Sequence, residues 1–174
     1  VIAALQAVKH GSQVAIMAPT EVLARQHLIS LTKFLESYPD INVQLLVSAL
    51  KTAEKKQVID AIANGQVDIV VGTHALIQES VTFSNLGLAI IDEQHRFGVK
   101  QREVLVKHGS PHVLNMTATP IPRTLALVAY GDQDLSVINE MPPGRMPIET
   151  KVVPPEHRQS VYRFVEGRIQ KGEQ

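Results

Sequence analysis

A chain of 174 residues can bury one sizeable core and begin a second domain. Its 17 basic and 17 acidic residues cancel and aromatics make up only 4 %, with no Trp, which argues against bulk electrostatic gripping of nucleic acid and against a single-strand binder built on base stacking. A local reader of the phosphate backbone still fits. With no cysteine there is no disulfide framework or thiolate metal site, no apolar run approaches the roughly 18 residues of a membrane span, and Val1 to His10 has no secretory signature, so the expectation is a cytoplasmic protein with no membrane partner.

In chain order, Val1 to about His10 reads as a helix closed by Gly11, and Ala15-Ile16-Met17 is the first of five short apolar runs. Thr20 can cap a helix from Glu21, whose apolar positions include Val22, Leu23, Leu28, Leu31 and Leu35. After the second run, Leu45-Leu46-Val47, Thr52 caps a third helix with Val58, Ile59 and Ile62 on one face, and Asn64-Gly65 stops it. The strand Val67 to Val71 follows at once, with the third run, Ile69-Val70-Val71, inside it, and Ala89-Ile90-Ile91 and Val113-Leu114 complete the set. Shorter helices are expected over Lys100 to His108 and Pro122 to Ala129. Continuous rather than alternating runs suit strands buried on both faces, so the fold class is α/β: a parallel β-sheet with helices on both faces. Three prolines and a glycine between Met141 and Pro147 mark a linker over 141–150. Beyond it, Ile148 to Val153 reads as a strand and Glu156 to about Lys171 as a helix with Val161, Phe164, Val165 and Ile169 on one side, the start of a second domain over 151–174.

In open parallel sheets the working residues collect in the loops after the carboxyl ends of the strands. Four such loops here are polar: Ala18-Pro19-Thr20-Glu21, Gly72-Thr73-His74, Asp92-Glu93-Gln94-His95 and Thr117-Ala118-Thr119-Pro120. An Asp closing a buried strand is placed to hold Mg²⁺, and the adjacent Glu can orient and deprotonate the water that attacks a γ-phosphate. Asp92 and Glu93 therefore read as the chemical pair. Taken alone, two such acids more often just end a strand in solvent; His95 and the threonine cluster tip the balance. A zinc role for His95 is set aside, since no second His stands at i+4 and no cysteine exists. It reads better as a polar link from the acidic pair to Thr117 or Thr119, although those threonines could equally make an ordinary hydroxyl-bonded turn. Thr20 and Thr73, with Arg25 nearby, could bind a phosphate through hydroxyl and backbone N–H groups, or be plain helix caps.

The strings around these residues resemble a known family. Asp92-Glu93-Gln94-His95-Arg96-Phe97-Gly98-Val99 with Gln101-Arg102 is similar to motif II of the RecG family, within helicase superfamily two, and Met116-Thr117-Ala118-Thr119-Pro120-Ile121-Pro122-Arg123-Thr124-Leu125-Ala126 to its motif III and the segment after it. Ala18 to His27 resembles motif Ia, and Val71 to Gln78 the next DNA-facing element; the likeness runs on through Tyr130-Gly131-Asp132 and Pro142-Pro143-Gly144-Arg145. The resemblance implies a RecA-like motor of the P-loop NTPase type that uses ATP and Mg²⁺ to remodel branched DNA, reversing replication forks and migrating Holliday junctions. On it, Glu93, Asp92 and His95 are the catalytic set with Asp92 on the metal, and Thr117 and Thr119 couple hydrolysis to movement. Pro19, Thr20, Arg25, Gly72, Thr73, His74 and Arg123 would face DNA. Its partners would be branched DNA and the second motor domain and junction-binding domain of the same full-length protein.

Residues 1–140 would form most of the first motor domain. No Gly-x-x-x-x-Gly-Lys-Ser/Thr string occurs, so the ATP-phosphate loop is expected to precede Val1 and the isolated stretch to be inactive. Val47-Ser48-Ala49 also stands where the family commonly has Thr-Gly-Ser. Transcription-repair coupling translocases share the strings from His95 to Val99 and from Thr117 to Thr124, whereas Gln94, Gln101-Arg102 and Pro142 to Arg145 resemble RecG more closely. A RecA-like module used only for binding is the alternative of another class.

Overall fold

The computed structural model describes residues 1–93, 109–118, 134–146 and 148–172. The expected helices over 100–108 and 122–129 lie outside them. The chain divides into two units, Val1–Ala126 and Leu127–Gln174.

In the first unit the order is α1 (Ile2–Lys9), β1 (Gln13–Met17), α2 (Glu21–Phe34), β2 (Val43–Leu46), α3 (Thr52–Ala63), β3 (Ile69–Gly72), a 3₁₀ turn (His74–Ile77), β4 (Leu86–Ile91) and β5 (His112–Asn115). All five expected runs lie in or against these strands, which pair in parallel in the order β2-β3-β1-β4-β5. Every residue of β1 and β3 is buried, as a central parallel strand covered on both faces requires.

Alternate side chains serve the two faces, because successive residues of a strand point to opposite sides. Val14, Ile16, Ile69, Val71, Leu88 and Ile90 pack with Ala4 of α1, with Ala24 and Leu31 of α2 and with Leu35 just after it. On the other face Ala15, Met17, Val70, Ala89 and Ile91 pack with Ile62 of α3 and with Leu76, Val81 and Phe83. The α3 stop is as the sequence suggested: Gly65 sits at φ +70°, and the N–H groups of Gly65 and Gln66 reach Ile62 O at 3.1 Å and Ala61 O at 2.9 Å. A left-handed residue there lets the chain turn back over its last carbonyls, which glycine does without Cβ strain.

One buried polar residue ties this unit together. Gln13 is 6 % exposed; its Nε2 donates to Ile62 O at 3.0 Å and Val67 O at 2.8 Å, while Oε1 accepts from Asn85 N at 3.1 Å. Each polar atom of its amide thus has a partner, as burial demands.

Two expectations need correction. Thr52 does not cap α3: it is the first helical residue, Lys51 holds the cap position with φ −59° and ψ 147°, and the Glu54 carboxylate accepts from Lys51 N at 3.3 Å. Leu50 packs against both cores, so the chain enters the helix directly behind it. In the second unit Ile148 to Val153 is not a strand. A strand is completed by hydrogen bonds to a neighbour, and the described residues offer none. The helix there does form, as α4 (Arg158–Gln170) after a 3₁₀ turn (Pro155–His157), with Phe164, Val165 and Ile169 exposed and the Arg168 guanidinium 5.0 Å from the centre of the Phe164 ring. Residues 134–146 contain no helix or strand, and Arg145 N closes a turn on Pro142 O at 3.2 Å. No helix of the described residues is long and apolar enough to cross a membrane.

Candidate functional site

Parallel register brings the ends of β3, β1, β4 and β5 to one edge. Met17 is the Cα partner of both Gly72 and Ile91, and Ile91 of Asn115. The ladder continues one residue further: Ala18 N donates to Gly72 O at 2.8 Å, Asp92 N to Met17 O at 2.9 Å and Met116 N to Ile91 O at 2.8 Å. The chain leaves β1 toward β2 on one side and leaves β4 toward β5 on the other. Strand order therefore reverses between β1 and β4, and a sheet of this kind opens a ligand crevice at such a switch point.

Asp92 and Glu93 stand at that switch point, both half-buried. Glu93 has φ +51°, the left-handed region that a residue with a Cβ seldom occupies. Holding it there costs on the order of 1 kcal/mol or more, a strain often found where a side chain must be aimed away from the line of its strand. Thr117 lies two residues past Asn115, so it sits exposed at the same edge as the acidic pair. His95, Thr119 and Arg123 lie outside the described residues.

Asp92 has a partner that sequence reasoning passed over. His27 Nε2 lies 2.8 Å from Asp92 Oδ2, across 65 residues of chain, with side-chain exposures of 30 % and 20 %. A carboxylate oxygen accepts, so Nε2 is the donor. A signal was present: His27 falls between the buried Ala24 and Leu31 on the apolar stripe of α2, where a polar side chain needs a partner.

The other expected positions divide by what the fold asks of them. Thr20 caps α2, its Oγ1 accepting from Leu23 N at 3.3 Å, and remains exposed beside the half-buried Pro19. Arg25 sends both Nε and Nη2 to Glu21 Oε1, at 2.9 and 2.7 Å, an exposed pair one helical turn apart. Gly72 is buried, and a Cβ on it would lie 2.2 Å from Leu46 O and 2.9 Å from Leu76 Cγ. That backbone approach admits no side chain. Thr73 is buried too, and its N–H goes to Leu46 O at 3.3 Å, whereas His74 is exposed.

The donor set fits a hard cation. Asp92 offers carboxylate oxygens at a strand end, and no group of three or more His, Cys, Asp or Glu gathers among the described residues. Mg²⁺ needs no such cage, since one or two carboxylates with phosphate oxygens and water suffice for it.

Comparison with known proteins shows the family and the fold. The DEAD/DEAH box helicase family matches residues 1–128. The ATP-dependent DNA helicase RecG of Streptococcus pneumoniae is 52 % identical over 174 residues, spanning 99 % of this chain and 26 % of that protein. RecG of Thermotoga maritima is 49 % identical over 174 residues, spanning 99 % and 22 %. A solved structure of RecG bound to a three-way DNA junction superposes with TM-score 0.81 at 45 % identity, over 98 % of this chain and 23 % of that one. The helicase MrfA shares the fold alone, at TM-score 0.55 and 21 % identity. The chain thus spans about a quarter of the length of the curated relatives it matches. A parallel sheet of RecA-like order, an acidic pair at its switch point and a family match over most of the length lead to one conclusion: this chain belongs to the DEAD/DEAH box helicases.

Proposed function

We propose that this chain is most of the first motor domain of an ATP-driven DNA helicase that remodels branched DNA, with residues 1–140 in that domain, 141–150 as linker and 151–174 opening a second motor domain. The observation that carries the reading is the position of Asp92 and Glu93 at the carboxyl end of β4, beside β1, where strand order reverses. Similarity to a RecG solved on a three-way junction supports branched DNA, such as replication forks and Holliday junctions, as the partner.

In this reading Asp92 would hold Mg²⁺ through a carboxylate oxygen, and the ion would supply positive charge against the phosphate charge of ATP. Glu93, turned off the strand by its backbone, orients a water and takes its proton. His95, Thr117 and Thr119 join this chemistry to movement. Pro19, Thr20, Arg25, Gly72, Thr73, His74 and Arg123 form the DNA-facing set. Within it Gly72 acts through the close backbone packing it permits, and Thr20 and His74 are the exposed members of their loops.

Glu93→Gln keeps side-chain size but loses the base. In the full-length protein it should cut DNA-stimulated ATP hydrolysis by about a hundredfold or more while nucleotide binding persists. Unchanged turnover would assign Glu93 a structural role.

A further inference from the structure

We propose that His27 is a positioning residue for the nucleotide-bound metal: from α2 it holds Asp92 Oδ2 and so orients the carboxylate that faces the cation. The inference rests on the reading of Asp92 just given and adds a residue to it. Asp92 follows β4 directly with its N–H bonded to Met17 O, so its backbone is fixed, but the carboxylate can still turn about its own side-chain bonds. The imidazole at 2.8 Å restrains that rotation.

The restraint comes from the right element. Ala24 and Leu31, on either side of His27 along the buried stripe, seat α2 on the sheet face that carries Val14, Ile16 and Ile90. His27 therefore approaches from a packed helix rather than a mobile loop. Its ring also crosses the reversal of strand order, joining the helix that follows β1 to the residue just after β4. Oδ2 being engaged by His27, Oδ1 is the carboxylate oxygen that would reach the cation. Metal-ligating carboxylates are commonly held in this way by hydrogen bonds from outside the coordination shell, and losing such a bond typically weakens metal binding by about 10- to 100-fold. The same bond links metal and DNA elements, since His27 lies seven residues, about 10 Å along the helix, from the Thr20 cap.

The test measures binding, not turnover. In the full-length protein, affinity for a fluorescent ATP analogue is measured with Mg²⁺ and again with excess EDTA, and Mn²⁺ uptake in the presence of the analogue is followed by electron paramagnetic resonance. His27→Phe keeps a ring on the helix face but removes the donor; His27→Gln keeps an N–H of similar reach. We expect His27→Phe to lower Mn²⁺ affinity and the Mg²⁺-dependent gain in nucleotide affinity by about tenfold, with the EDTA value unchanged, and His27→Gln to restore most of the gain. Should His27→Phe not keep the wild-type circular dichroism, His27→Leu takes its place. Equal loss with and without metal would mean a merely structural tie and overturn the proposal. Asp92→Asn separates the two readings. If it abolishes the metal-dependent gain while the His27 variants leave it intact, the His27 inference alone falls; if Asp92→Asn leaves the gain intact, the metal role of Asp92 falls and this inference with it.

Discussion

Replacing Gln13 by Met keeps an unbranched side chain of similar length and removes every hydrogen bond the amide makes. Three are lost: to Ile62 O, to Val67 O and from Asn85 N. Ile62 O keeps the N–H of Gly65 at 3.1 Å, so the full cost falls on the buried Val67 O, with a smaller one on the N–H of Asn85, an exposed residue that water can partly serve. A buried polar group that loses its partner costs about 1–3 kcal/mol, and the thioether recovers part of this by being apolar where the amide was not. The net expectation is about 2–4 kcal/mol. These bonds join the start of β1 to the end of α3 and the approach to β4, so the loss should spread through the first unit rather than stay local. Amide hydrogen exchange in the full-length protein reads this directly, since slow exchange from core strands reports the free energy of opening. Peptides covering β1, β3 and β4 should exchange roughly 30- to 700-fold faster, at about 1.4 kcal/mol per factor of ten. Rates within threefold of wild type in all three strands would refute the view that Gln13 holds these elements together.

Two further substitutions separate architecture from DNA contact. Gly72→Ala should push β2 and β3 apart, because the new Cβ would sit 2.2 Å from Leu46 O, and should cost about 2 kcal/mol or more; wild-type protection of the β2 and β3 amides in that variant would rule out the steric role. Thr20→Asp preserves an N-cap oxygen for Leu23 N, so stability should stay within about 0.5 kcal/mol by thermal melting, but it sets a negative charge where a DNA phosphate would lie. DNA affinity should fall, and fall more steeply at low salt; unchanged affinity would mark Thr20 as a cap and nothing more.

Much of this could be read along the chain because it is local. An apolar run ending in Asp92-Glu93 already says buried strand, then acids at its carboxyl end, and a parallel α/β sheet puts such residues at one edge whatever the strand order. The Thr20 cap and the Gly65 stop were legible for the same reason: each depends on hydrogen bonds spanning only three to five residues.

Pairings between distant residues were not legible. His27 and Asp92 are 65 positions apart, and Gln13 meets Asn85 across 72. Only the strand order β2-β3-β1-β4-β5 sets α2 over the end of β4 and the start of β1 beside the approach to β4. Gly72 read as part of a DNA-facing loop, yet its neighbour on β2 leaves no room for a Cβ, a demand that one strand makes on another. Ile148 to Val153 had the composition of a strand without becoming one. By itself the sequence determined which segments could be helix or strand and which chemical groups stood at their ends; the tertiary structure decided which of those groups meet, because hydrogen bonds and steric contacts between distant segments exist only once the sheet has chosen its neighbours.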